Sequence, residues 1–235
     1  MRTHATLEAA EFDRAAASYD NELNRGLALS GESREYFARA RVAWLDGRLQ
    51  RLGARPRTAL DFGCGTGAST GLLLGLSSIE HVIGVDPSVR SIEIARRSWA
   101  SDRVTFDVFD AQFKPVAVEL AFCNGVLHHI SRPDRGAALR LVYQSVEVGG
   151  YFAVWENNAL SPAARAVMRR IPFDRDAEPI TACQTRRLLE QTGFRIVATD
   201  YLFIFPRILR VLRPLENRLS RWPIGAQYLV LSRRD

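Results

Sequence analysis

Ala59-Leu60-Asp61-Phe62-Gly63-Cys64-Gly65-Thr66-Gly67 joins a short apolar run to a helical pattern. Thr58–Phe62 reads as a strand and Ala68–Leu76 as a helix, so the glycines occupy a strand-to-helix turn. Glycines there permit a tight turn and let a ligand approach the backbone closely. The amides that open the helix are donors for a polar ligand. Asp61 ends the strand and sets a carboxylate beside the cradle, which suits a cationic amine better than a pyrophosphate. The spacing Gly63-x-Gly65-x-Gly67 also departs from the G-x-G-x-x-G of dinucleotide-binding loops.

Downstream, apolar runs and helical patterns alternate. Strands are expected at His81–Val85, Val104–Phe109, Val116–Cys123, Tyr151–Trp155, Arg195–Phe205 and Gln227–Leu231. Helices are expected at Ser88–Trp99, about Asp134–Val146, and around Thr185–Gln191. This alternation implies an α/β fold with a mostly parallel sheet covered on both faces. Ligands in such sheets bind at the carboxyl ends of the strands. Those ends carry the polar residues. Asp86 and Pro87 follow the second strand, where an acid can accept from both ribose hydroxyls. Asp110 and Ala111 follow the third, placed for an exocyclic amine such as that of adenine. Asn124 follows the fourth, ahead of Gly125-Val126-Leu127-His128-His129-Ile130.

Four strand ends in chain order, each with such a residue, resemble the class I S-adenosylmethionine-dependent methyltransferases over about Phe12 to Leu231. The resemblance implies a Rossmann-like, seven-stranded, mostly parallel sheet with an antiparallel last strand and an N-terminal helical lid. It implies S-adenosylmethionine as cofactor, held by Gly63, Cys64, Gly65 and Gly67 at its methionine and ribose, Asp86 at the ribose, and Asp110 with Ala111 at the adenine. Asn124 then lies near the methyl group. Phe12 to Asp20, with Tyr19, resembles the helix that closes over the cofactor. Arg41, twenty residues before Asp61, takes the position of an arginine that pairs with the cofactor carboxylate. Residues 1–55 are expected to form the lid, and 56–235 the cofactor domain with an inserted segment at 206–225. Ile171 to Ala177 and the segment after Phe205 look like a bacterial subgroup acting on small molecules, consistent with a metabolite, natural-product or glycan acceptor.

The acceptor side is open to more than one reading. Tyr36, His128, His129, Trp155, Glu156 and Asn157 are the candidate substrate residues. His129 and Glu156 are the candidate catalytic groups. His129 equally suits packing under the cofactor, and Glu156 capping the following turn. Adjacent histidines point apart on a strand or loop, so a shared metal is not expected.

Phe205–Trp222 is amphipathic and basic, with Ile208, Leu209, Leu212, Leu215 and Leu219 at helical spacing beside Arg207, Arg210, Arg218 and Arg221. Packing on the protein, a homodimer contact, and contact with a membrane or lipid-linked substrate are its alternatives. The chain has 235 residues and a net charge of +6, with the positive charges dispersed and almost all arginine. That dispersion, and the absence of an Asn/Asp-Pro-Pro-aromatic motif, argue against a nucleic-acid substrate. Three widely spaced cysteines and no apolar run of spanning length lead us to expect a cytoplasmic protein. Two rival functions share these features: a cyclase-like catalyst that binds the cofactor without methyl transfer, and a membrane-surface binding module.

Overall fold

A computed structural model describes residues 26–110, 112–171 and 177–235. The first expected helix, with Phe12 and Tyr19, lies outside the described residues, as do Ala111 and 172–176. The described chain opens with a helical turn and then α1 (Arg34–Arg51), whose N-cap Ser33 accepts from the Tyr36 amide. There follow β1 (Thr58–Phe62), α2 (Ala68–Leu73), β2 (His81–Asp86), α3 (Val89–Trp99) and β3 (Val104–Val108). Next come β4 (Val118–Asn124), α4 (Arg132–Ser145), β5 (Val146–Asn157) and α5 (Pro162–Met168). The last elements are α6 (Ala182–Thr192), β6 (Phe194–Leu202), a 3₁₀ segment (Arg207–Leu215), α7 (Glu216–Leu219) and β7 (Gln227–Arg234).

The seven strands form one sheet in the order β3-β2-β1-β4-β5-β7-β6. β7 runs antiparallel to both β5 and β6, and the other pairs are parallel. This is the architecture the strand–helix alternation and the resemblance imply. Strand alternation sorts the apolar side chains onto two faces. Leu60, Phe62, Ala121, Cys123, Phe152 and Val154 form one core with Leu139 and Val142 of α4 and Leu189 of α6. Ala59, Leu120, Phe122, Ala153, Trp155 and Leu229 form the other with Val42, Leu45 and Leu49 of α1. α1, assigned to the lid by the sequence, is therefore built into the core of the sheet domain. It is also fastened at its far end: Asp200 of β6, 1% exposed, accepts from Arg48 Nε at 2.7 Å and Trp44 Nε1 at 3.0 Å.

Two elements differ from expectation. β5 starts at Val146 rather than Tyr151, because the strand runs through Gly149-Gly150. Gly149 takes φ +86° and a Cβ on Gly150 would lie 2.8 Å from the Glu119 carbonyl. The glycines absorb the register shift between Val118 and Leu120 instead of ending the strand. The amphipathic stretch after Phe205 is not a continuous α-helix. It is a 3₁₀ segment with a kink at Leu209 and Pro214 inside it, followed by a four-residue helix. Proline removes a backbone donor and crowds the preceding turn, which ends the ladder.

Candidate active site

β1 delivers Asp61 to the sheet's carboxyl edge, and the glycine loop turns there. The Gly63 and Cys64 amides donate to the Val85 carbonyl at 2.8 and 3.0 Å, which pins the loop to β2. Gly63 takes φ +74°, and a Cβ there would lie 2.3 Å from Val126 Cγ2. Gly65 takes φ +53°, but a Cβ there would meet nothing within 4 Å among the described residues. Gly63 is thus glycine for packing, whereas Gly65 presents bare backbone to open space, the property a close-approaching ligand requires.

Asp61 is 1% exposed and accepts from Thr70 Oγ1 at 2.7 Å. Burial pushes its carboxyl up to about 7; the nearby Asp86 carboxylate adds to the rise and the Thr70 hydroxyl opposes it. Asp86 ends β2, and its two oxygens accept from the Gly65 and Ser88 amides, each at 2.9 Å. A carboxylate at a strand end is an acceptor for hydroxyls as well as amides. Cys64 is buried, and burial raises its thiol well above the ordinary value, so it is a packing group there rather than a nucleophile. Asp110 is exposed at the end of β3, with Oδ1 accepting from the Gln112 amide at 2.8 Å. Asn124 is half-buried at the end of β4, and Pro87 is exposed after Asp86.

Arg41 is buried, and its Nη1 donates to Gln227 Oε1 at 3.0 Å; Gln227 Nε2 donates in turn to Asn157 Oδ1. The arginine that touches the glycine loop is Arg34, whose Nη2 lies 3.4 Å from Thr66 Oγ1. Sequence reasoning missed Arg34 and Thr70. Thr70 had a signal, since it lies one turn into the helix that follows the loop; Arg34 had none.

The acceptor-side candidates separate by strand alternation. Trp155 and Asn157 share one face of β5 and Glu156 takes the other, so the run Trp155–Asn157 does not face one pocket. Trp155 is fully buried in the core with α1, away from the substrate position expected of it. Glu156 is 1% exposed, and its oxygens take the Leu127 amide at 2.7 Å and His128 Nδ1 at 2.5 Å. Arg135 grips the same loop from the other side: its Nε donates to the carbonyls of Leu127 and Ile130. His128 is therefore a buried partner of Glu156. His129 is half-buried, and its ring centre lies 4.1 Å from that of His128 with the planes tilted by 44°, so the two side chains meet rather than point apart as expected. Tyr36 is half-buried beneath the Arg213 guanidinium, 4.7 Å from the ring centre, and burial raises its phenol. Among the described residues no cluster of ligating side chains fits a metal ion.

Sheet order, strand-end acids and open glycine loop resemble those of the class I S-adenosylmethionine-dependent methyltransferases, and residues 60–154 match the family model of a methyltransferase domain. S-adenosylmethionine is the cofactor of that class, and the site fits it: an open loop backbone at Gly65, a buried carboxyl for an amine, and a strand-end acid for a ribose. Among curated proteins the chain is similar to a trans-aconitate 2-methyltransferase of Rhodopseudomonas palustris, 28% identical over 172 residues, 71% of this chain and 60% of that one. The chain spans 60% or less of the length of the curated relatives it matches. Among solved structures it resembles the magnesium protoporphyrin IX methyltransferase of Synechocystis with bound S-adenosylmethionine, at a TM-score of 0.63 and 16% identity, covering 100% of this chain and 99% of the other. It also resembles the [4+2]-cyclase SpnF, at a TM-score of 0.54 and 20% identity, covering 80% of this chain and 81% of the other.

Proposed function

We propose that this protein transfers a methyl group from S-adenosylmethionine to a small-molecule acceptor. The observation that carries the reading is the Asp61–glycine loop–Asp86 arrangement at adjacent strand ends, with Gly65 open to a ligand. In this reading Asp61 receives the cofactor's amine, Asp86 its ribose hydroxyls, and Asp110 its adenine. Arg34, which opens α1 and reaches Thr66 of the loop, is better placed than Arg41 for its carboxylate. Bound S-adenosylmethionine supplies a methyl already activated on a sulfonium. The chain's own work is then to align an acceptor and exclude water.

Where the acceptor must lose a proton, His129 is the group we assign to take it, because it is half-buried on the loop after β4. Glu156 acts one step back as a positioning residue: it holds His128 and the Leu127 amide, and so fixes the loop that carries His129. The small acid in the relatives' name supports a small acceptor. The likeness to a cyclase favours one other reading, cofactor binding without transfer.

Incubation with S-adenosylmethionine labelled on its methyl, against a panel of small carboxylic acids, phenols and amines, tests the reading. We expect label to move to one acceptor. His129→Ala should lower kcat by about 10²-fold or more and remove the limb of the pH–rate profile that reports proton removal. Tight cofactor binding with label retained on the cofactor across acceptors that are nonetheless converted would establish the cyclase reading instead.

A further inference from the structure

We infer that the 3₁₀ segment Arg207–Leu215 and the turn after it form a docking surface for an anionic phospholipid membrane. Ile208 and Val211 are 88% and 80% exposed, more than Leu209 and Leu212 at 42% and 37%, so the segment turns apolar side chains to the outside on either side of its kink at Leu209. Trp222 and Ile224, on the turn that follows α7, are 64% and 51% exposed. Asn158 Nδ2 holds that turn in place through the carbonyls of Pro223 and Gly225. Large apolar side chains exposed in such number over one short stretch mark an interaction site.

Charge selects the partner. Arg207, Arg210, Arg218 and Arg221 are exposed around these apolar side chains. The only acid between 207 and 224 is Glu216, and its carboxylate accepts from the Phe203 and Phe205 amides of its own chain. A twofold contact between copies would set the same arginine cluster against itself, which like-charge repulsion opposes. Lipid phosphates complement it, with apolar side chains entering the acyl boundary and the indole at the headgroups.

The surface is joined to the site's rim. Arg213 Nη2 bonds Glu32 at 2.8 Å and Arg207 Nη1 donates to the Gly31 carbonyl, both just ahead of α1. Arg34, the first residue of α1, reaches Thr66 of the glycine loop. Docking would therefore hold the loop side of the domain near the lipid surface. The inference does not rest on methyl transfer.

Sedimentation of the full chain with vesicles of equal parts phosphatidylcholine and phosphatidylglycerol, and with phosphatidylcholine alone, tests it. The chain should pellet with the anionic vesicles, weakly or not at all with the neutral ones, and less as salt is added. Arg210→Gln/Arg218→Gln/Arg221→Gln should weaken binding about a hundred-fold. Ile208→Asp/Val211→Asp should abolish it, and the thermal melts of both variants should match the parent, because the altered side chains are exposed. Failure of the parent chain to bind anionic vesicles would overturn the inference. So would binding that both variants retain, or a concentration-dependent dimer that Val211→Asp dissolves while vesicles stay unbound.

Discussion

Asp61 and Gly65 carry the proposed cofactor chemistry in different ways. Asp61 is a buried carboxyl whose charged form is disfavoured, held near 7 by burial first and by Asp86 second. Its value lies above that of an unfolded carboxyl, so the stability it contributes is fully present at acid pH and is lost as pH rises through about 7. Without ligand, stability should therefore decline across that range, and Asp61→Asn should flatten the decline in denaturant titrations at several pH values. A cationic amine needs the carboxylate form. The affinity for S-adenosylhomocysteine should then weaken about tenfold per pH unit below 7, with proton uptake by Asp61, and weaken again above about 8 where the ligand's own amine loses its charge. Calorimetric titration against pH checks both limbs; an affinity flat from acid to neutral pH would separate Asp61 from the amine. Gly65→Ala tests the cradle. Its φ of +53° costs an alanine about 1–2 kcal/mol, yet its Cβ meets nothing within 4 Å among the described residues. The variant should fold with that modest loss while cofactor affinity falls by at least tenfold.

At the scale of elements, the sheet positions the site and α1 braces it. Asp200 ties α1 to β6 through Arg48 and Trp44, and its carboxylate is almost fully buried. Asp200→Ala would leave the indole N–H and a guanidinium that is 20% exposed without that acceptor. We expect a loss of about 3 kcal/mol in unfolding free energy, read as a lower denaturant midpoint with an unchanged slope, and a smaller loss for Asp200→Asn, which keeps one acceptor oxygen. Glu156→Ala should cost a similar amount, roughly 2–3 kcal/mol, because it strips the Leu127 amide and His128 of a buried partner. Glu156→Gln should recover part of that stability by keeping an oxygen for the amide. Strand ends were legible where turn residues bound them: Thr58–Phe62 runs into the glycines and is as expected from its apolar run. β5 was not, because Gly149-Gly150 reads locally as a break and acts as a bulge. The stretch after Phe205 was read as a helix from its period, whereas Pro214 and the kink at Leu209 limit it to a 3₁₀ segment.

For the whole molecule, parallel order and strand-end chemistry go together: the loop, Asp86 and Asn124 meet only because β1 lies between β2 and β4. The candidates proposed for the cofactor side were drawn from such local positions: Asp61 and Asp86 lie on their strands at the sheet's carboxyl edge and Gly65 on the loop between them. The arginine candidates for the cofactor carboxylate depend on contacts between distant segments. Arg34 reaches Thr66 across 32 residues, Arg41 reaches Gln227 across 186, and no local pattern announces either. Trp155 looked like a pocket residue for its place beside Glu156, but strand alternation sends it into the core with α1. Among the described residues no helix is long and apolar enough to cross a membrane.

The most direct measurement is the thermal melt of the chain with and without S-adenosylhomocysteine, paired with Asp86→Ala. Ligand at a hundred times its dissociation constant should stabilise the folded chain by about 2.7 kcal/mol, a rise in Tm of roughly 5–10 °C for a chain of this size. Asp86 also holds the Gly65 and Ser88 amides, so the variant should melt lower without ligand; the decisive quantity is its ligand-induced shift, which should be small. A parent chain whose Tm does not move with either S-adenosylhomocysteine or S-adenosylmethionine would contradict the account.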